Sequence, residues 1–262
     1  TATVTSLHIG ENEICAYSSI YGTNDNNSIR LTPVYDKEND ILYRTGSNPS
    51  FAAVNAKTGE ILWEKNYSNT FGLSTLKKTA TNGFITTDNT TWSSTSNWNV
   101  YKTNENGDLL WAKRYEANGR QVAPRIVKSI DDTYIISGWY NSNGSTSDDI
   151  GILKIDGNGN ILATKTISLG GDDQMGEVIS DGNGGVFLYC EIEHDKTIVI
   201  LHLDAALNVL EKVQYHPQLD YYTTTYFRII KTSDGGFALT TWRSGGGETD
   251  EYAIVLKIAA NG

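Results

Sequence analysis

The sequence predicts an all-β fold, a five-bladed β-propeller whose blades are four-stranded antiparallel sheets. Two observations predict it: a motif that occurs four times along the chain, and the alternating apolar segments that precede each copy. A third observation, the match between the two ends of the chain, predicts how the ring closes. No long segment has the apolar periodicity of a helix.

The recurring motif reads GEILWEKNY at 59–67, GDLLWAKRY at 107–115, GNILATKTI at 159–167 and LNVLEKVQY at 207–215. Its strands start at residues 61, 109, 161 and 209, which gives spacings of 48, 52 and 48 residues. Periods of roughly 40–50 residues are typical of propeller blades. The repeat therefore predicts one blade per period.

Each period contains four predicted strands. An alternating apolar segment precedes each motif copy across a short turn rich in Gly, Asn and Asp, which predicts a hairpin. Two further strands, joined by a turn, come before that hairpin. The predicted blades cover 31–68, 73–116, 124–168, 175–216 and 225–262, the last together with 1–9, in a single domain spanning residues 1–262.

The two ends of the chain are predicted to meet. The last period supplies three strands and stops at residue 262, while residues 1–9 align with the fourth strand of blade 3 around a shared Ala-Thr pair. We therefore expect the N-terminal strand to complete the last blade, which closes the ring and removes two exposed sheet edges. The alternative is an open array, or one completed by a second copy of the chain.

Several repeat sequences carry a family resemblance. The segments DGGF at 234–237, LKIDGNGN at 153–160 and ILWEKNY at 61–67 resemble the propeller repeats of secreted bacterial proteins, and KTGEILW at 57–63 is similar to a quinoprotein-type repeat. The resemblance implies a propeller in a secreted, cell-surface or periplasmic bacterial protein. Quinone-dependent relatives keep a tryptophan in most blade-closing strands, whereas this chain keeps Trp63 and Trp111 alone, so we expect no cofactor.

Composition narrows the classes of partner. The formal net charge of −10 would repel a phosphate backbone, and no stripe of Lys or Arg offsets it, so nucleic acid is not an expected partner. No segment approaches the roughly 18 apolar residues of a membrane span, so we expect no membrane insertion. We expect the domain to be monomeric.

The loops that join the second strand of a blade to the third, or one blade to the next, are long and dissimilar, and variable loops on a rigid scaffold often bind ligands. They bring together Trp92, Trp139, Tyr140 and Trp242 among Ser, Asn, Gly and acids. Indole faces beside hydrogen-bonding side chains suit sugar rings. The alternative is that Trp139 and Trp242 pack between blades.

A second candidate cluster lies on the first strand of each blade, which should line a central channel. Aligned at one level are Thr32, Thr75, Arg125, Glu177 and Arg228. Two guanidinium groups beside a carboxylate could hold an acidic sugar or a peptide carboxylate through forked hydrogen bonds. The alternative is an ion network that fills the channel.

Other motifs fail as metal or catalytic sites. The segment after Asp156 has calcium-loop oxygens at its first positions, but Ile167 stands where a bidentate Glu is required, so a hairpin turn is expected. The four histidines have no metal-binding spacing. Cys190 ends an apolar strand without a nearby base, which predicts a buried thiol, with a disulfide to Cys15 as the alternative.

The sequence therefore favours a non-catalytic domain that binds a glycan, without catalytic or metal-binding residues. Two alternatives stay open. One is a glycoside hydrolase that uses two carboxylates on the variable loops, since such enzymes need a pair roughly 5–10 Å apart. The other is a protein-docking module of a larger secreted protein.

Overall fold

The computed structural model describes residues 5–8, 14–17, 33–45, 50–67, 75–81, 83–89, 96–142, 145–192, 197–216, 228–244 and 251–259. Over these residues the chain forms twenty-one β-strands, all paired antiparallel, and no helix. None of the described residues lies in a helix that could cross a membrane. The predicted all-β fold with five blades is confirmed, with three strands described for the last blade.

Two compact units divide the chain: residues 1–92 with 96–116, and residues 93–95 with 117–262. The first unit holds a hairpin and blades 1 and 2. Its strands are β1 (Thr5–His8), β2 (Ile14–Tyr17), β3 (Val34–Asp36), β4 (Ile41–Thr45), β5 (Ser50–Asn55), β6 (Ile61–Asn66), β7 (Leu76–Lys78), β8 (Phe84–Asn89), β9 (Trp98–Thr103) and β10 (Leu109–Tyr115).

Blades 3, 4 and 5 make up the second unit. Its strands are β11 (Gly119–Lys128), β12 (Tyr134–Ser142), β13 (Asp149–Ile155), β14 (Ile161–Ile167), β15 (Asp173–Ser180), β16 (Val186–Ile192), β17 (Thr197–Leu203), β18 (Val209–Tyr215), β19 (Arg228–Lys231), β20 (Phe237–Ser244) and β21 (Glu251–Ile258). Within every blade the strands pair in chain order.

Within each unit the core lies between neighbouring blades, because both faces of the middle strands carry apolar side chains. In β16, Val186, Leu188 and Cys190 pack towards blade 3, while Phe187 and Tyr189 pack towards blade 5. A sheet that is covered on both faces has near-continuous apolar strands rather than polar alternation. The outer strands follow the opposite pattern and are largely exposed.

The turn between the third and fourth strands repeats one hydrogen-bonding pattern. The Oδ1 atom of Asp156 accepts the N–H groups of Asn158 and Asn160 at 2.9 and 2.8 Å. Asn104 and Asp204 close their turns in the same way, and Asn55, whose turn is one residue longer, accepts the N–H groups of Lys57 and Thr58. Such side chains favour tight turns because they replace a backbone hydrogen bond. The segment after Asp156 is thus the expected hairpin turn.

A β-bulge follows each of these turns. The outer strands β6, β10, β14 and β18 each contain one extra residue between their first two paired positions. The extra residue is a leucine every time, and its side chain is 46 to 60% exposed; these residues are Leu62, Leu110, Leu162 and Leu210. The bulge turns that leucine away from the core.

The N-terminal strand forms a local hairpin. Thr5–His8 pairs with Ile14–Tyr17 in a two-stranded sheet, and completion of the last blade by residues 1–9 stays a prediction. The intervening connection is short, and the entropic cost of closing a loop rises with its length, so a local hairpin is the less costly pairing. Residues 1–4 and 9 lie outside the described part.

Candidate functional site

Each blade has two dissimilar ends. At the turn end, the first strand joins the second and the third joins the fourth through tight turns. At the loop end, the second strand joins the third and the fourth joins the next blade. Of the predicted aromatic ligand residues, Trp139 and Tyr140 lie in the half of β12 that is nearer the loop end.

Trp139 lies in β12, and its indole packs against the core between blades 3 and 4. Its Nε1–H donates a hydrogen bond to the carbonyl oxygen of Met175 in β15, at 3.1 Å. The ring thus joins two blades through both its apolar face and its polar atom. This is the packing role that the sequence left open as the alternative to ligand contact.

The next residue, Tyr140, has a half-buried side chain at the loop end of β12. Its hydroxyl donates to the carbonyl oxygen of Asn118 at 3.1 Å, which fixes the ring at the entrance to blade 3. Trp92 lies outside the described residues. Trp242 lies in β20, opposite Ala253, and its side chain lies outside the described part of the structure.

Glu177 and Arg228, two of the predicted channel residues, form an ion pair between blades 4 and 5. Arg228 Nη1 lies 3.0 Å from Glu177 Oε2, and the glutamate side chain is 8% exposed against 38% for the arginine. The other glutamate oxygen accepts the N–H of Val178 at 3.2 Å. Arg125 is half-buried in β11, Thr75 is buried, and Thr32 lies outside the described residues.

A polar cluster joins blades 3 and 4 at the loop end. Arg120 Nη2 contacts both carboxylate oxygens of Asp148, at 2.9 and 2.6 Å. The N–H of Asp148 donates to Asp172 Oδ1 at 3.0 Å, and its carbonyl oxygen accepts the N–H of Asp173 at 2.8 Å. We call Arg120, Asp148, Asp172 and Asp173 the loop-end cluster.

Asp173 is the most buried member of the loop-end cluster, with 0% of its surface exposed. Its Oδ2 atom accepts the N–H of Leu169 at 2.5 Å, while Oδ1 has no hydrogen-bond partner among the described residues. Burial raises the pKa of the Asp173 carboxyl above its ordinary value, and the nearby carboxylate of Asp149 raises it further. An acid with no exposed surface cannot contact a substrate.

Cys190 is a free, fully buried thiol in β16. Burial raises the pKa of this thiol, which opposes formation of the nucleophilic thiolate. The side chain of Cys15 lies outside the described part. Among the described residues, no group of three His, Cys, Asp or Glu side chains is placed to hold a metal ion.

No protein family and no curated protein sequence matches this chain. Solved structures do match. A Bacteroides caccae protein of unknown function aligns with a TM-score of 0.62 and 14% identity, over 95% of this chain and 83% of its own. The endo-arabinase of Bacteroides thetaiotaomicron aligns with a TM-score of 0.52 and 11% identity, over 88% of this chain and 95% of its own.

The WD40 domain of Neurospora crassa Pan2 also aligns, with a TM-score of 0.55 and 13% identity, over 88% of this chain and 62% of its own. At these identities the similarity concerns the fold and leaves the function open. The comparisons therefore agree with the strand pairing: the chain has a β-propeller fold.

Proposed function

We propose that this chain is a non-catalytic binding domain that recognises a carbohydrate at the loop end of blades 3 and 4. The observation that carries the proposal is the fixed orientation of Tyr140 at the loop end of blade 3. A half-buried aromatic ring offers an apolar surface to a sugar face, and Arg120 and Asp148 are hydrogen-bonding groups that suit hydroxyls.

The hydrogen bonding and burial of the carboxylates in the loop-end cluster favour binding over hydrolysis. Asp148 is held by Arg120, and Asp173 is fully buried, so neither is free to act on a glycosidic bond. A hydrolase needs one accessible acid and one accessible base or nucleophile on opposite sides of that bond. An endo-arabinase among the proteins of similar fold keeps hydrolysis as the second candidate.

A glycan array probed with the purified chain tests the proposal. We expect binding to a restricted set of glycans, and we expect Tyr140→Ala to weaken binding to the best of them at least tenfold in titration calorimetry. Leu162→Ala, a substitution of an exposed residue at the turn end of the same blade, should leave that affinity unchanged.

Three results would overturn the proposal. One is the absence of glycan binding by the folded chain. Another is full affinity in the Tyr140→Ala variant. The third is release of new reducing ends from a bound oligosaccharide. That result would show that the chain is a glycoside hydrolase.

A further inference from the structure

Three side chains at the loop end of blade 3 form one row across the sheet. Gln121 in β11 lies opposite Tyr140 in β12, and Tyr140 lies opposite Asp149 in β13. Residues directly opposite each other in antiparallel strands share one face of the sheet, with Cβ atoms about 5 Å apart. The aromatic ring therefore stands between an amide and a carboxylate. We call Gln121, Tyr140 and Asp149 the loop-end row.

The two polar members of the row have acceptor oxygens that the rest of the described structure does not use. Gln121 is 7% exposed, and its Oε1 atom is buried and has no hydrogen-bond partner among the described residues. Asp149 is half-buried and takes part in no ion pair of the described part of the chain. A buried acceptor without a donor costs free energy. The row therefore favours a ligand that donates hydrogen bonds.

The charge around the row is mainly negative. Arg120, the cation of the loop-end cluster, contacts both carboxylate oxygens of Asp148, so its charge is already balanced. The carboxylate of Asp149 is close enough to the buried Asp173 to raise the pKa of that carboxyl, and Lys212, on the exposed outer strand of blade 4, acts in the opposite direction. A positive charge beside Asp149 would be attracted by both carboxylates.

The arrangement suits an organic cation better than a chelated metal ion. In the described part of the chain, no three His, Cys, Asp or Glu side chains are placed to hold a metal ion together. An ammonium group needs no such convergence, because its three N–H donors can meet a carboxylate oxygen and an amide oxygen on separate strands. A cation is also attracted to the face of a tyrosine ring. An ammonium group thus matches all three members of the row.

We propose that the carbohydrate bound at this loop end is an amino sugar with a free ammonium group. Its ring lies on Tyr140, its ammonium group lies against the carboxylate of Asp149, and the Gln121 amide is the second acceptor. This inference rests on the proposed function and narrows the ligand from sugars in general to cationic ones. An acidic sugar is disfavoured, because it would bring a second carboxylate to Asp149.

Three probes separate the charge of the ligand from its rings. The chitosan trimer, made of three glucosamine units, has both; cellotriose has the same rings with a hydroxyl in place of each amine; trilysine has ammonium groups and no sugar ring. In titration calorimetry at low salt we expect the chitosan trimer to bind about fivefold more tightly than either control, the upper range for an ion pair of partly exposed groups.

Salt tests the electrostatic origin of this preference in the unaltered chain. Raising the salt from about 0.01 M to about 1 M shortens the screening length from about 30 Å to about 3 Å. The preference for the chitosan trimer over cellotriose should then largely disappear, while the affinity for cellotriose should change little.

Two substitutions assign the contacts within the row. Asp149→Asn keeps the shape of the side chain and removes its charge, so it should weaken binding of the chitosan trimer about fivefold and leave cellotriose unaffected. Tyr140→Ala should weaken binding of both sugars. Asp131→Asn makes the same change of charge at an exposed turn-end position of the same blade, and it should change neither affinity.

The inference would be refuted by equal affinity for the chitosan trimer and cellotriose, or by an unchanged preference in Asp149→Asn. Trilysine binding as tight as that of the chitosan trimer would also refute it, since charge alone would then be recognised. If Asp149→Asn does not fold, a preference that persists at high salt has the same meaning. A neutral glycan bound through Tyr140 would leave the proposed function standing after such a result, whereas the absence of any glycan binding would refute both.

Discussion

Trp63 and Gly107 should behave as one unit in stability measurements, because the indole occupies the space that a side chain at Gly107 would need. Trp63→Ala removes a half-buried indole and its edge contact with Phe51. Full truncation of a buried Trp costs about 3–5 kcal/mol, so this half-buried residue should cost about 2 to 3 kcal/mol. The free energy of unfolding in urea, followed by circular dichroism, gives the value.

Gly107→Leu alone should also destabilise the fold. Its Cβ would lie 2.7 Å from the Trp63 ring, and overpacking of this kind costs roughly 1–3 kcal/mol. A non-glycine residue at φ of 76° adds about 1 kcal/mol. In the double variant the leucine enters the space that the indole vacated, as Leu207 does beside Ala163.

The double variant should therefore be more stable than the two single effects imply, with a coupling free energy of about 2 to 3 kcal/mol. The opposite cycle, Ala163→Trp with Leu207→Gly, should give coupling of the same sign in the second unit. Additive effects in both cycles would contradict the reasoning, because additivity would mean that the two positions do not share one space.

Two further predictions concern buried charge. Asp173→Asn keeps an acceptor for the Leu169 N–H and removes a carboxylate whose pKa burial raises, so the ionised wild-type group opposes folding. The variant should be more stable than wild type at pH 7, and this gain should disappear as the pH falls through the raised pKa towards the ordinary value of 3.8; an equal gain at pH 7 and pH 3 would count against burial as the cause. Arg228→Met should lower the free energy of unfolding by about 1 to 2 kcal/mol because it leaves Glu177 buried without its ion pair, and Glu177→Gln in the same chain should recover most of that loss if the reasoning is correct.

Local chemistry made the blades predictable. The turn after the third strand needs an Asp or Asn that accepts two backbone N–H groups, and this requirement repeats at Asp156 and Asp204. The strands around the turn are also recognisable from a few residues, because side chains alternate between the two faces of a strand and the apolar residues therefore recur at every second position. Both signals act over a few residues, so the sequence alone contains them.

The site was less predictable because its contacts join distant segments. Arg120 and Asp148 are separated by 28 residues, and no local pattern marks them as partners. Trp139 lies in phase with Ile135, which faces the core, so its packing role could have been inferred from strand alternation within β12. Bulges in β11 and β15 break that alternation, so the levels assigned to Arg125 and Glu177 could not be fixed by counting residues.

The recurrent bulge also bears on how the protein behaves in concentrated solution. The fourth strand is the outermost one in its sheet, and a regular outermost strand offers its backbone groups to a strand of another molecule. The extra leucine interrupts that regular spacing where the outer strand begins, at Leu62, Leu110, Leu162 and Leu210. A strand from a second molecule would meet a break in register at the first positions of these four outer strands. Bulges of this kind are one of the ways in which proteins with exposed strand edges oppose edge-to-edge aggregation.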